Sequence, residues 1–287
     1  MQQGIYKNAG FSTKVFQLIA IVLFSIVLLS VLTVLFTDGD LNNISSVKQM
    51  QLIQSLCLFV FVPFTLAYFW SEDPLSYLKL SSKSKFSTFM LVLITMVVAI
   101  PGINLLTSFN QQLVLPDFMA PLENWMKASE TQLEEITLKM LNVTTIQALL
   151  FNLFLMAILP ALGEELFFRG TIQKIITERK NAIIAIWVAA FIFSAIHMQF
   201  YGFLPRMLLG AFFGYLVYWS GNLWLPIVAH FVNNGIAVLF YYLKFNGVKV
   251  FDIDTIGTGE TIYTGAISVV LTAFCITKLR KELQNLL

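Results

Sequence analysis

Residues 144–176 read TTIQALLFNLFLMAILPALGEELFFRGTIQKII, and the fold follows from a conflict inside that string. It is long enough to cross a bilayer, which takes ~20 apolar residues, yet its second half carries Glu164, Glu165 and Arg169. Insertion scales assign ~2.5 to 3.5 kcal/mol to each ionised side chain at the bilayer centre. Three unpaired ones would cost roughly 8 to 10 kcal/mol, which rivals the stability of a whole domain. The three must therefore be paired, neutralised or turned toward a water-filled cavity inside a helical bundle. Glu165 and Arg169 stand four apart on one helical face, acid first, and can pair directly. Glu164 lies ~100° round the helix axis and needs a partner from another helix.

The rest of the chain supplies that bundle. Of 287 residues, 57% are hydrophobic and 12% charged, with a mean hydropathy of +0.78, whereas soluble domains are roughly 25% charged. This excludes a water-soluble globule. Uncharged stretches predict spans at Val15 to Phe36, Leu52 to Trp70, Phe86 to Leu106, Thr144 to Ile176, Ala182 to His197, Leu204 to Trp219, Leu223 to Leu243 and Thr261 to Thr277. The sixth and the last are a little short. The expected fold is an all-α polytopic membrane protein of about eight transmembrane helices, with residues 1–287 forming a single transmembrane domain.

An even number of spans puts both termini on one side. Lys7 and Lys14 precede the first run, which is long and lacks a small-residue cleavage site, so it reads as a retained signal anchor. The segments on the side of the termini hold Lys7, Lys14, Lys79, Lys83, Lys85, Lys174, Arg179, Lys180, Lys278, Arg280 and Lys281. The opposite side holds only Lys48, Lys127, Lys139, Arg206, Lys244 and Lys249. The positive-inside bias then predicts cytoplasmic termini, and the expected location is a bacterial cytoplasmic membrane. A net charge of +2 leaves no basic surplus for nucleic acid. Cys57 and Cys275 both fall in apolar runs and read as packing residues. No feature of the sequence sets an oligomeric state.

Residues 120–141 form the longest connection. Leu122, Trp125, Met126, Leu133, Ile136 and Met140 recur there at helical spacing, among Glu123, Glu130, Glu134 and Glu135. The pattern predicts an interfacial amphipathic helix. A loop helix that caps the bundle is the preferred reading over a lid that gates a cavity.

Both histidines of the chain fall in predicted spans. His197 ends the fifth. His230 sits in the seventh with Asn234 four residues on, so imidazole and carboxamide share a helical face. Counting rise from the turn at 178–181 puts Glu164 and His197 about 21 and 24 Å along their helices, at comparable depth. His230 and Asn234 follow the turn at Asn222 by about 12 and 18 Å, a difference that a kink at Pro160 or helix tilt can absorb. A carboxylate, two imidazoles and a carboxamide can hold and deprotonate a water and stabilise a tetrahedral oxyanion, which is the equipment of peptide-bond hydrolysis. The same groups, Glu164, His197, His230 and Asn234, could bind Zn²⁺ or another divalent metal with room left for water. No HExxH pattern is present, and no second-shell acid is identifiable. Ser194 has no acid-oriented imidazole and does not read as a nucleophile.

In order and on successive helices, Glu164-Glu165-x-x-x-Arg169, Phe193-x-x-x-His197 and His230-x-x-x-Asn234 resemble the CPBP family, which includes type II CAAX prenyl endopeptidases and bacteriocin-processing or immunity proteins. The match covers roughly 144–243, the expected catalytic core. Leu204-Pro205-Arg206 and Gly210-x-x-x-Gly214 are similar in style, the two glycines reading as close helix packing. The resemblance implies an intramembrane peptidase in which Glu164 and His197 activate water, His230 and Asn234 hold the oxyanion, and Glu165 and Arg169 shape the site. It implies either a metal-dependent or a metal-free glutamate enzyme, acting on a membrane-associated or lipidated peptide. Two other classes remain open from the residues. One is a non-catalytic binding protein, such as an immunity factor or scaffold. The other is a transporter or proton relay, which the lack of repeated broken helices weakens.

Overall fold

Apolar runs without internal turn residues wind into long helices, and in the computed structural model helix is the only regular structure among the described residues, 3–249 and 252–284. In chain order they are α1 (Phe11–Phe36), α2 (Ile44–Trp70), α3 (Phe86–Gln111), α4 (Ala120–Leu141), α5 (Ile146–Thr177), α6 (Ala182–Ala195), α7 (Phe203–Ser220), α8 (Trp224–Phe245) and α9 (Ile262–Gln284). Seven of these are long and apolar enough to cross a membrane, and α6 is a shorter apolar helix. The chain is an all-α polytopic membrane protein.

Three lengths differ from the sequence reading. The sixth and last predicted spans are full helices, with 18 and 23 residues. The fifth is the short one. Its 14 residues rise about 21 Å, less than the ~30 Å hydrocarbon core. An apolar run that stops early brings the chain to its turn at His197 before a full bilayer thickness has been covered. Met198, at φ 55°, takes the left-handed conformation that ends the helix and turns the chain toward α7.

Helix α5 lies at the centre. It and α7 are the most enclosed spans, each with 44% of its apolar window buried, against 6% for α1. The exposed Phe16, Leu23, Phe24, Val27 and Val34 of α1 suit contact with lipid. An ion pair between Lys14 and Glu178, and a 2.6 Å hydrogen bond from Trp70 Nε1 to Gln17, tie α1 to the bundle.

Helix α5 is not uniform. π-Helical segments at Phe154–Ile158 and Phe168–Ile172 flank the stretch Leu159–Phe167 that carries the two glutamates. The first has a local cause. Pro160 has no N–H to give the Met156 carbonyl and its ring would press on it, so the turn ahead of it widens. Gly163 then lets α2 approach closely, since a Cβ there would stand 2.8 Å from the Cβ of Phe59. Gly163→Ala should therefore destabilise the bundle by about 1–3 kcal/mol, measured as a lowered thermal unfolding midpoint in mild detergent. Gly10→Ala, where a Cβ meets nothing within 4 Å, should leave the midpoint unchanged.

Candidate functional site

The site begins with Glu165 and Arg169 on α5, both fully enclosed. Glu165 Oε1 accepts a 2.8 Å hydrogen bond from Arg169 Nη1, the i,i+4 pair that the spacing predicts. The guanidinium also donates to the Gly210 carbonyl of α7 at 2.9 Å and lies over the rings of Phe193, Phe213 and Phe168 at 4.6, 5.4 and 5.8 Å. Arg169 is thus neutralised by one acid, one backbone dipole and aromatic faces, which is how a cation persists inside a membrane bundle. Gly210 is more than a packing residue. A Cβ there would stand 3.1 Å from Arg169 Nη2, so glycine gives the guanidinium its path to the carbonyl. Gly214 serves Gln173 in the same way, one turn along: Gln173 Nε2 donates to the Gly214 carbonyl at 3.2 Å.

Glu165 has a second partner that sequence spacing does not reveal. His230 Nδ1 lies 2.9 Å from the same Oε1. A carboxylate ionised against Arg169 only accepts, so His230 carries its proton on Nδ1 and presents the Nε2 lone pair. Glu165 is therefore the orienting acid behind His230, which corrects the reading that no second-shell acid is present. The imidazole is further fixed by stacking on Phe213, with ring centres 5.3 Å apart and planes at 22°.

His197 is oriented by the end of its own helix. With α6 ending at Ala195, the Phe193 carbonyl is among the last four that lack an intrahelical donor. His197 Nδ1 fills that role at 2.6 Å. A carbonyl only accepts, so this ring too is protonated on Nδ1 and presents the Nε2 lone pair. The short α6 and the exposed lone pair of His197 have one cause.

Both Nε2 atoms face Glu164. Its Oε2 lies 3.9 Å from His230 Nε2 and 4.0 Å from His197 Nε2, and this buried oxygen has no hydrogen-bond partner among the described residues. Asn234 completes the set. Its Nδ2 donates at 3.3 Å to the Met156 carbonyl, the one that Pro160 leaves without a helical donor. The remaining amide hydrogen is free for the cavity. Ser194 Oγ donates to the Phe203 carbonyl at 2.7 Å and is buried, consistent with its exclusion as a nucleophile.

All four polar groups, Glu164, His197, His230 and Asn234, line one cavity of about 670 Å³, within the usual size range of ligand sites. Helix α4 supplies part of the wall through Glu130, Glu134, Thr137, Leu138 and Leu141. Glu130 Oε2 accepts from the Tyr201 N–H at 2.9 Å, and Trp125 packs on Phe200 with ring centres 5.5 Å apart. The helix read from sequence as a cap is a wall of the site. Phe213, Gln199 and Arg206 also belong to the surroundings of the site and were not singled out by sequence as parts of it. Phe213 was masked by the uniformly apolar run of α7, whereas Arg206, a cation in that run, was a visible signal.

The donor set can be tested against a divalent metal. Two lone-pair imidazole nitrogens, each held by a partner on Nδ1, and one carboxylate oxygen are the right chemistry. The spacing is too wide. Tetrahedral zinc with bonds of 2.0–2.1 Å separates its ligand atoms by about 3.3 Å, against 3.9 and 4.0 Å here. Among the described residues no three His, Cys, Asp or Glu are gathered closely enough to hold a metal ion. A water donating to two such atoms at ~2.8 Å spaces them by about 4.4 Å, so the observed 3.9 and 4.0 Å lie between the zinc and water spacings.

The fold and cavity define a polytopic membrane protein with a polar site inside its helical bundle. Comparison with known proteins then gives what the chain is similar to. Residues 146–236 match the family model described as Type II CAAX prenyl endopeptidase Rce1-like. A Bacillus subtilis (strain 168) protein described as uncharacterized protein YpbD is 28% identical over 102 residues, 34% of this chain and 49% of that protein. The chain thus matches about half the length of this relative. No solved structure matches. The matched segment is about a third of this chain and contains Glu164, Glu165, Arg169, His197, His230 and Asn234, so the similarity falls on the same motifs that resemble the CPBP family. What this segment is similar to is a family of the CAAX protease type.

The buried triad gives a direct test. Arg169→Leu leaves Glu165 enclosed without its cation, a change that costs about 3–5 kcal/mol in buried pairs. The expected result is a sharply lowered unfolding midpoint in detergent, with Glu165→Gln/Arg169→Leu recovering part of the loss. No change in the single variant would show the pair to be dispensable.

Proposed function

We propose that this protein is an intramembrane endopeptidase that hydrolyses a peptide bond of a membrane-associated or lipidated peptide, using a water activated by Glu164. The observation that carries this reading is the convergence of Glu164 Oε2 on two imidazole lone pairs at 3.9 and 4.0 Å, within a cavity of about 670 Å³. A water between them donates one hydrogen to Glu164 and one to an imidazole, which orients its oxygen toward a substrate carbonyl. Glu164 takes the water proton as the oxygen bonds to the carbonyl carbon. The free amide hydrogen of Asn234 stabilises the oxyanion that forms. The imidazole that the water does not donate to, protonated on Nε2 from cavity water before attack, delivers that proton to the departing amine as the C–N bond breaks, and the water proton on Glu164 then passes to that imidazole and restores the starting state.

The count of acceptors supports this cycle. Three acceptor atoms meet at one point and a water brings two hydrogens, so one further proton completes the arrangement. That is the proton the leaving amine needs. The same count favours a second occupant. A divalent cation held by Glu164, His197 and His230 would also satisfy three lone pairs, and would polarise the scissile carbonyl and acidify water. It requires the carboxylate and imidazoles to draw about 0.6 Å closer than they stand.

Placement in a bacterial cytoplasmic membrane with cytoplasmic termini belongs to the same proposal, supported by the charge bias of the connections. The test is cleavage of membrane peptides by purified protein in detergent or liposomes. Glu164→Gln and His197→Ala should each reduce the rate by 10²-fold or more while retaining the wild-type unfolding midpoint. Undiminished cleavage by both variants would sink the assignment. Elemental analysis separates the two occupants: the wide spacing predicts protein without stoichiometric metal and activity that survives chelators. One bound ion per chain, lost in His197→Ala, would establish the cation instead.

A further inference from the structure

The cavity holds one positive charge that the proposed chemistry leaves unused. Arg206 lies on the first turn of α7, and among the described residues no other lysine or arginine lines the cavity, which also carries Glu130, Glu134 and Glu164. The guanidinium is held in place. Its Nη1 donates to the Gln199 carbonyl at 3.1 Å and its Nη2 to Gln199 Oε1 at 2.7 Å. Gly202 makes room, since a Cβ there would meet Nη2 at 3.1 Å. Among the described residues no acid lies within ion-pair distance of it. Arg169 is the opposite case, with its charge cancelled inside the protein.

A cation within a membrane bundle is costly unless something neutralises it. Gln199 supplies only neutral acceptors, and Glu130 and Glu164 act on the guanidinium only from beyond ion-pair distance, so no direct anionic partner occupies it. The planar fork matches a carboxylate, which it binds more tightly than a neutral carbonyl. Position fits as well. Gln199 is two residues past His197, so the guanidinium sits beside the imidazole that faces Glu164, within reach of a few extended peptide residues at ~3.3 Å each.

We infer that Arg206 is a specificity-determining residue that anchors a carboxylate of the peptide substrate and so fixes which bond lies over Glu164. This rests on the peptidase reading above. The three cavity acids repel a carboxylate, and Arg206 is the cation in the lining that can offset that repulsion. Two sources carry the same chemistry: the C-terminal carboxylate of the peptide, or an Asp or Glu side chain near the cleaved bond.

The test uses the full-length protein and three farnesylated CAAX-type peptides: one with a free C-terminus, its C-terminal amide, and an amide with glutamate as the last residue. Wild-type protein should show a KM for the free acid ten-fold or more below that for the amide, with similar kcat. Arg206→Gln should raise the KM for the free acid by the same factor and leave the amide unaffected, and Arg206→Lys should restore part of the difference. If the glutamate-bearing amide regains tight, Arg206-dependent binding, a side-chain carboxylate suffices. If it does not, the C-terminus is the source. Fluorescence anisotropy of labelled peptides on the Glu164→Gln form gives the same comparison without turnover. Peptidase failure therefore appears as absent cleavage, and anchor failure as acid and amide bound equally. Equal binding of acid and amide by wild-type and Glu164→Gln protein, or no binding of either, overturns the anchor. So does a loss in Arg206→Gln that is the same for both peptides.

Discussion

A single carboxylate oxygen, Oε1 of Glu165, holds the site together. It is fully enclosed and accepts from Arg169 on its own helix and from His230 on α8. The constraint behind it is solvation. In a bundle that cannot offer water, each buried charge has to be met by an opposite charge, a dipole or a ring face. Arg169 meets all three, and by reaching the Gly210 carbonyl it brings α7 into the same cluster. Three helices are thereby joined through polar groups that would each be unfavourable alone.

The consequence is pre-organisation. His230 is fixed in its Nδ1-protonated form by Glu165 and pressed against Phe213, while His197 is fixed in the same form by the unpaired carbonyl of Phe193. Both rings present lone pairs to Glu164. Irregular backbone is part of this arrangement. Pro160 breaks the helical bond to the Met156 carbonyl, and Asn234 takes it up. The residue that distorts α5 also supplies the contact that positions the carboxamide.

Much of this was legible in the sequence. The cost of Glu164, Glu165 and Arg169 in an apolar run demanded an interior cavity, and the i,i+4 spacing gave the Glu165 to Arg169 pair. Only two histidines exist to partner Glu164, and both face it. What was not legible depends on distance in space. His230 and Glu165 are 65 positions apart, and no periodicity links them. The part of α4 that lines the cavity was hidden because its acids fit a solvated face as well as a cavity wall. The early end of α6 was hidden because Ile196 and His197 follow its apolar run without a helix breaker. Arg206 stood out by charge, but its lack of an acidic partner appears only in three dimensions.

The most direct measurement of the central arrangement is ¹⁵N NMR of histidine-labelled protein in micelles or lipid, which reports on two imidazoles only. The account predicts that both rings carry their proton on Nδ1 in their neutral form, and that Glu164→Gln shifts both Nε2 resonances. An Nε2-protonated ring at either position, or Nε2 signals indifferent to Glu164→Gln, would contradict it.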